Sequence, residues 1–154
     1  IELMPRDIAR ATRAVGHLQP TPAFVCGDMC HAALPPSDLV VILDVLHYVD
    51  LQAQEGVLSR VRHALLQGAA ERETGTPARL LLRVGDAASR RGYRISQWVD
   101  RTVTRVRGHR VAPTWGRPLA EWTTLLQRLG FSVQSLPMSR GTPFANVLLV
   151  ADLK

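Results

Sequence analysis

The chain has 154 residues, 46% of them hydrophobic and 21% charged, with a formal net charge of +6. That balance excludes a disordered or fibrous chain and suits one globular domain around one core. Apolar runs such as Leu39 to Leu43, which stops at Asp44, fall far short of the roughly 20 residues that cross a bilayer.

The positive charge is carried almost wholly by arginine. Lys154 is the one lysine among 19 cations, and ten arginines fall between Arg79 and Arg117. The isoelectric point near 10.6 favours acidic partners such as nucleic acid, an anionic membrane face or an acidic protein. A GC-rich genome accounts for arginine in place of lysine but not for its clustering. Against nucleic acid stand an aromatic content of 5%, no visible RNA-binding module, and no Asn/Asp-Pro-Pro-Tyr/Phe run. Cys26 and Cys30 are too few for a disulfide framework. Their three-residue gap does not fit haem attachment, and the run offers too few ligands for zinc, so no metal site is expected. Cys26 reads as a buried strand residue and Cys30 as a reduced thiol of a cytosolic protein. No segment has the pattern of a signal peptide, which agrees with a cytoplasmic location.

In chain order, Ile1-Glu2-Leu3 reads as the tail of a strand. Met4-Pro5 opens a helix with the stripe Ile8, Ala11, Ala14 and Val15, stopped by Gly16. After the Pro20–Pro22 loop, Ala23 to Cys26 reads as a short buried strand ended by Gly27-Asp28, and a short helix follows. Leu39 to Leu43 is a continuous apolar run with β-branched Val40, Val41 and Ile42 at its centre, the pattern of a strand covered on both faces in a parallel sheet. Leu51 to Leu66 is an amphipathic helix lined by Val57, Leu58, Val61, Ala64 and Leu65, with a loop over Gln67 to Ala78. Arg79 to Val84 is the next strand. Ile95, Trp98, Val99, Thr102, Val103 and Val106 step by three and four, which predicts a helix. Pro118 to Leu129 is another helix, with Pro118 in its first turn and Gly130 as its stop. Phe131 to Leu136 and Asn146 to Leu153 are strands joined through the Gly141-Thr142-Pro143 turn. Alternating strands and helices predict an α/β sheet with right-handed crossovers. The last two strands lack a helix between them and so form an antiparallel hairpin.

A parallel α/β sheet finished by such a hairpin after Leu129-Gly130-Phe131-Ser132-Val133 resembles the class I S-adenosylmethionine-dependent methyltransferases. Leu43-Asp44-Val45-Leu46-His47-Tyr48-Val49 resembles the family's fourth-strand block, commonly D-V-L-H-H-V. Leu80 to Val84 is similar to its fifth strand. The resemblance covers nearly the whole chain and implies a Rossmann-like sheet, mostly parallel, with a C-terminal antiparallel hairpin. It implies S-adenosyl-L-methionine as cofactor and S-adenosyl-L-homocysteine as product. Glu2, at the end of a strand similar to the family's second, is then the ribose-binding carboxylate, with Leu3 beside it. Asp28 meets the adenine amine, Met29 packs on the adenine face, and Asp44 joins the cofactor set. In an open α/β sheet, ligands bind outside the carboxyl ends of the strands, where Glu2, Asp28 and Asp44 all fall. Asp28 also reads as a turn cap, and Glu2 as a solvated surface residue.

The family's first strand and Gly-rich loop are not present in these residues. The expectation is therefore an incomplete methyltransferase domain over residues 1–154, with roughly 60 to 80 residues belonging upstream and weak cofactor binding by the chain alone. Methyl transfer is an in-line displacement that chiefly needs nucleophile and methyl held at attack distance. His47 is the candidate general base, or else packs against the cofactor or caps the helix. Residues 87–117 read as a helical insertion that covers the substrate. Tyr93, Trp98 and Trp115 supply its aromatic surface, and Arg90, Arg91, Arg94, Arg101, Arg105 and Arg107 its charge; Tyr48, after the strand similar to the family's fourth, joins the substrate residues. Such a surface suits an acyl or aryl small molecule, free or carried by an acidic protein, as in bacterial lipid or polyene-pigment pathways. The alternatives are a nucleic-acid methyltransferase or binding protein and a cofactor-free scaffold.

Overall fold

The computed structural model describes residues 1–71, 77–89, 98 and 114–154. The helix expected over Ile95 to Val106 lies outside them apart from Trp98, and Tyr93 lies outside them as well. The chain divides into two compact units, Ile1–Pro35 and Pro36–Lys154.

In the first unit, Glu2 pairs with Cys26 in a parallel bridge. The Glu2 N–H donates to Val25 O at 2.9 Å and the Gly27 N–H to Glu2 O at 3.0 Å. Between these segments runs α1 (Pro5–Val15), with proline in its first turn where a missing N–H costs nothing. Of the expected stripe, Ile8, Ala11 and Val15 are half-buried, while Ala14 is exposed. A side chain on Gly16 would meet Thr12 O at 2.8 Å, which explains why glycine closes the helix. Cys26 departs from expectation. It is exposed, because pairing is limited to one bridge, and its thiol reaches only Leu3 O at 3.8 Å. The short helix expected after Gly27 is a turn, in which Asp28 O accepts from both the His31 and Ala32 N–H groups.

The second unit holds a four-stranded sheet in the order β1-β2-β4-β3. Its strands are β1 (Leu39–Leu43), β2 (Arg79–Gly85), β3 (Phe131–Pro137) and β4 (Asn146–Leu153). β1 and β2 are parallel, joined through α2 (Leu51–Ala70). β3 and β4 form the expected antiparallel hairpin, and β4 inserts between β3 and β2. α3 (Leu119–Arg128) precedes β3. Pro118 sits just outside that helix as its N-cap, and Gly130, at φ 85°, ends it, a backbone region that favours glycine.

Period-2 alternation sorts the sheet into faces. Leu80, Leu82, Val84, Leu149 and Ala151 are buried, in register across β2 and β4. They form the core with Val57, Leu58, Val61 and Leu65 of α2 and Trp122, Leu125 and Leu126 of α3. The opposite face differs from the continuous-run expectation. Leu39, Val41 and Leu43 are each about half exposed, because α2 and α3 commit their apolar stripes to the Leu80–Leu82 side. α2 also runs four residues past Leu66, and Gly68 within that extension is buried.

On the exposed face Arg79 and Asp152 are register partners joined by two hydrogen bonds of 2.6 and 3.0 Å. These bonds hold the Asp152 carboxyl below its ordinary value. A depressed carboxyl contributes stability above its unfolded value and loses it as pH falls through the folded one. Asp152→Asn should therefore lower the urea midpoint slightly at pH 7, and the two proteins should converge in strong acid. Solvent screening keeps the effect small. An equal difference at both pH values would exclude the pair as its cause.

Candidate functional site

In the first unit, the Glu2–Cys26 bridge sets two parallel segments side by side, and Glu2, Leu3, Asp28 and Met29 lie at their carboxyl ends. Asp28 Oδ1 accepts the Cys30 N–H at 2.8 Å, and Oδ2 lies 3.2 Å from His31 Nδ1. The Cys30 N–H bond, with a smaller part from His31, holds the Asp28 carboxyl below the usual range. It is an exposed carboxylate at neutral pH, and it is also the turn cap that its position suggests. Glu2 Oε1 accepts the Met4 N–H at 3.0 Å, and Leu3 is exposed. Met29 is half-buried.

In the second unit, Asp44 follows the carboxyl end of β1 at φ 56°, a conformation that few non-glycine residues adopt, though Asp does so more readily than most. Its N–H donates to Arg83 O at 3.1 Å. Its Oδ2 accepts both Nε, at 2.7 Å, and Nη2 of Arg83. Arg83 stands at the same level on β2, opposite Leu43. Asp44 is thus half of an ion pair rather than a free acceptor, and Arg83 is a site residue that sequence reasoning missed. The signal was available: a strand otherwise apolar, Leu80-Leu81-Leu82-Arg83-Val84, carries one cation near its carboxyl end.

Next come Val45 and a single turn of 3-10 helix, Leu46–Tyr48. Leu46 is fully buried and pins the turn, while Tyr48 is exposed. The His47 and Tyr48 ring centroids are 4.0 Å apart, and His47 Nε2 is shielded from solvent. The Trp115 N–H donates to His47 O at 2.8 Å, so the structure brings together three predicted residues, His47, Tyr48 and Trp115. Trp115 and Trp98 are both exposed. Asp86, just past β2, orders the adjoining chain: its Oδ1 accepts from the Ala88 and Leu119 N–H groups, both at 3.0 Å.

Gln54 and Arg117 are the buried polar side chains among the described residues. Gln54 sits on the apolar stripe of α2, at helical spacing from Val57, Leu58 and Val61. A polar residue on an apolar stripe is the sequence signal that would have found it.

No family profile matches the sequence, and no curated protein does. Solved structures do match. Magnesium protoporphyrin IX methyltransferase from Synechocystis PCC 6803, with bound S-adenosylhomocysteine, superposes with a TM-score of 0.64 at 16% identity, over 98% of this chain and 60% of that one. Human N-acetylserotonin methyltransferase in complex with S-adenosylmethionine gives 0.63 at 19% identity, over 97% and 39%. NodS, an N-methyltransferase from Bradyrhizobium japonicum, gives 0.62 at 14%, over 98% and 63%. The fold is a partial Rossmann-like methyltransferase fold. The chain spans about two-fifths to three-fifths of the methyltransferases it matches. Within this methyltransferase fold, Asp44, Arg83 and the His47–Tyr48 turn stand where an open α/β sheet receives ligands, beyond the carboxyl ends of its parallel strands. No described helix is long and apolar enough to cross a membrane.

Proposed function

We propose that this chain belongs to an S-adenosylmethionine-dependent methyltransferase acting on a small-molecule acceptor of acyl or aryl type. The observation that supports it most is the pairing of Glu2 with Cys26, which places two exposed carboxylates, Glu2 and Asp28, at the ends of adjacent parallel segments in a methyltransferase fold. Carboxylates only accept hydrogen bonds, and the ribose hydroxyls and adenine amine of the cofactor are donors. The donor set therefore fits, with Glu2 toward the ribose, Asp28 toward the amine, and Leu3 and Met29 as apolar walls. Asp44 fits less directly, since Arg83 already occupies one of its oxygens, and its part is to hold the end of β1 in shape.

The bound cofactor supplies an electrophilic methyl group; the chain's part is to hold the acceptor against it. Tyr48 and Trp115 present exposed rings from segments joined by the Trp115 N–H to His47 O bond, and such rings suit an acyl or aryl group. The sequence offers Tyr93, which lies outside the described residues, and the exposed Trp98 as further aromatic side chains for the acceptor. His47, beside Tyr48, is the candidate base for an acceptor that must lose a proton. With Nε2 shielded, that nitrogen can act only on a group that reaches inside the turn. The arginines that the sequence gathers at Arg90, Arg91, Arg94, Arg101, Arg105 and Arg107 suit an acidic carrier that delivers the acceptor.

Calorimetric titration with S-adenosylhomocysteine tests the cofactor site. A hydrogen bond to a charged group contributes about 1.5 to 3 kcal/mol, so Asp28→Ala should weaken binding roughly 10- to 150-fold. Because no Gly-rich loop occurs in these residues, the wild-type affinity is expected to be weak, and the ratio is the quantity to read. Equal binding by wild type and a folded Asp28→Ala variant would remove Asp28 from the site.

A further inference from the structure

Gln54 is fully buried, and its polar atoms bond the turn after β1 and the Trp115–Arg117 stretch. Its Nε2 points at three backbone carbonyls: Leu46 O at 3.2 Å, Val49 O at 3.1 Å and Trp115 O at 2.8 Å. An amide carries two N–H hydrogens, so three acceptors converge on two hydrogens and one is shared. Its Oε1 accepts from Arg117 Nε at 2.9 Å, and Arg117 Nη2 in turn donates to Leu51 O and Glu55 Oε1, both at 2.9 Å. The segments joined this way are far apart in sequence. One is the turn after β1 and the other is the stretch from Trp115 to Arg117. A second link, from the Trp115 N–H to His47 O, runs beside the first.

We propose that Gln54 is a positioning residue that clamps the His47–Tyr48 turn to Trp115, and so sets the spacing of the aromatic surfaces that receive the acceptor. The acceptor role rests on the methyltransferase reading above; the clamp itself does not. Glutamine is suited to the task because it donates to carbonyls on one side and accepts from a guanidinium on the other. Gln54→Glu keeps the shape and the Arg117 partner but has no N–H for the carbonyls, and its charge repels them. Gln54→Met keeps the volume without either polar function.

Amide hydrogen exchange separates positioning from general stabilisation. In Gln54→Glu and in Gln54→Met, exchange of the Trp115 N–H should accelerate at least tenfold. Exchange at Leu82 and Leu149, in the centre of the sheet, should accelerate at least tenfold less than at Trp115. Equal acceleration at all three sites would make Gln54 a stability residue only, and unchanged exchange at Trp115 would mean that it clamps nothing; either result overturns the proposal. S-adenosylhomocysteine should bind both variants within about twofold of wild type, and a parallel loss of its binding would move Gln54 to the cofactor side and overturn the acceptor role. Failure of the wild type itself to bind this probe counts against the methyltransferase reading, while the exchange data still decide the clamp.

Discussion

Gly68→Ala should destabilise the chain, although alanine is the better helix former. A Cβ at this position would lie 2.3 Å from Ser37 O, 2.5 Å from Ser37 C and 2.7 Å from Ser37 N. All three are backbone atoms, and that backbone is held. The Ser37 N–H donates to Ala64 O at 3.0 Å, and the next residue's carbonyl accepts the Arg79 N–H at 3.0 Å. Pro35 and Pro36 stiffen the approach, and β1 begins at Leu39. Helix propensity favours alanine by about 1 kcal/mol. Overpacking a tight contact costs typically about 1 to 3 kcal/mol, and here the clash is with backbone rather than a rotatable side chain. The net loss should reach about 2 kcal/mol, which for a chain of this length lowers Tm by roughly 4 to 8 °C. Gly56, in the same helix, is the control. Nothing lies within 4 Å of a Cβ there, and the position is exposed, so Gly56→Ala should gain about 0.5 to 1 kcal/mol. Thermal unfolding of the two variants should move in opposite directions; a stabilised Gly68→Ala would mean that the Ser37 segment yields.

The same glycine shows where sequence reading stops. The apolar stripe ends at Leu65, and its periodicity predicts a helix that stops at Leu66, two residues short of Gly68. What the position requires is close approach to a strand entry 31 residues earlier, and only tertiary structure reveals that. Periodicity served well where burial is one-sided and local. The stripe Val57, Leu58, Val61, Ala64 and Leu65 and the β3–β4 hairpin are both legible as patterns of spacing and turn residues. It misled at Leu39 to Leu43, where an all-apolar run reads the same whether one face or two are covered, and at Cys26, where a buried strand was inferred from composition alone. The candidate site divides in the same way. Asp44, His47 and Tyr48 stand out as a block just past a strand. Arg83 and Gln54 stand out only as polar residues in apolar patterns, and Arg117 not at all, because Arg83 pairs with Asp44, and Gln54 with Trp115 O and Arg117, across long stretches of sequence. A pattern read one segment at a time carries no information about such partners.

Arg117 should prove the most costly arginine to remove among those described. Its side chain is 9% exposed, where most arginines of such a basic chain would be solvated. The guanidinium meets Gln54 Oε1, Leu51 O and Glu55 Oε1, each at 2.9 Å, and lies 5.7 Å from the Trp122 ring centroid. Two explanations of its worth compete: the ion pair with Glu55, and the hydrogen bonds to neutral acceptors. Glu55 is 46% exposed, so the pair alone contributes at most about 1 kcal/mol. Gln54 Oε1 is buried, and stranding such an acceptor costs about 1 to 3 kcal/mol. Arg117→Met should therefore lose about 2 to 4 kcal/mol in urea unfolding, whereas Glu55→Gln should lose under about 1 kcal/mol. Lysine cannot reproduce the planar fork, so Arg117→Lys should fall between them. If hydrogen bonding dominates, the Arg117→Met loss should change little between low and high salt. The loss should also shrink when Gln54→Met is already present, since the acceptor it would strand is gone. A loss that disappears in high salt, and that adds fully to Gln54→Met, would instead assign the contribution of Arg117 to its charge.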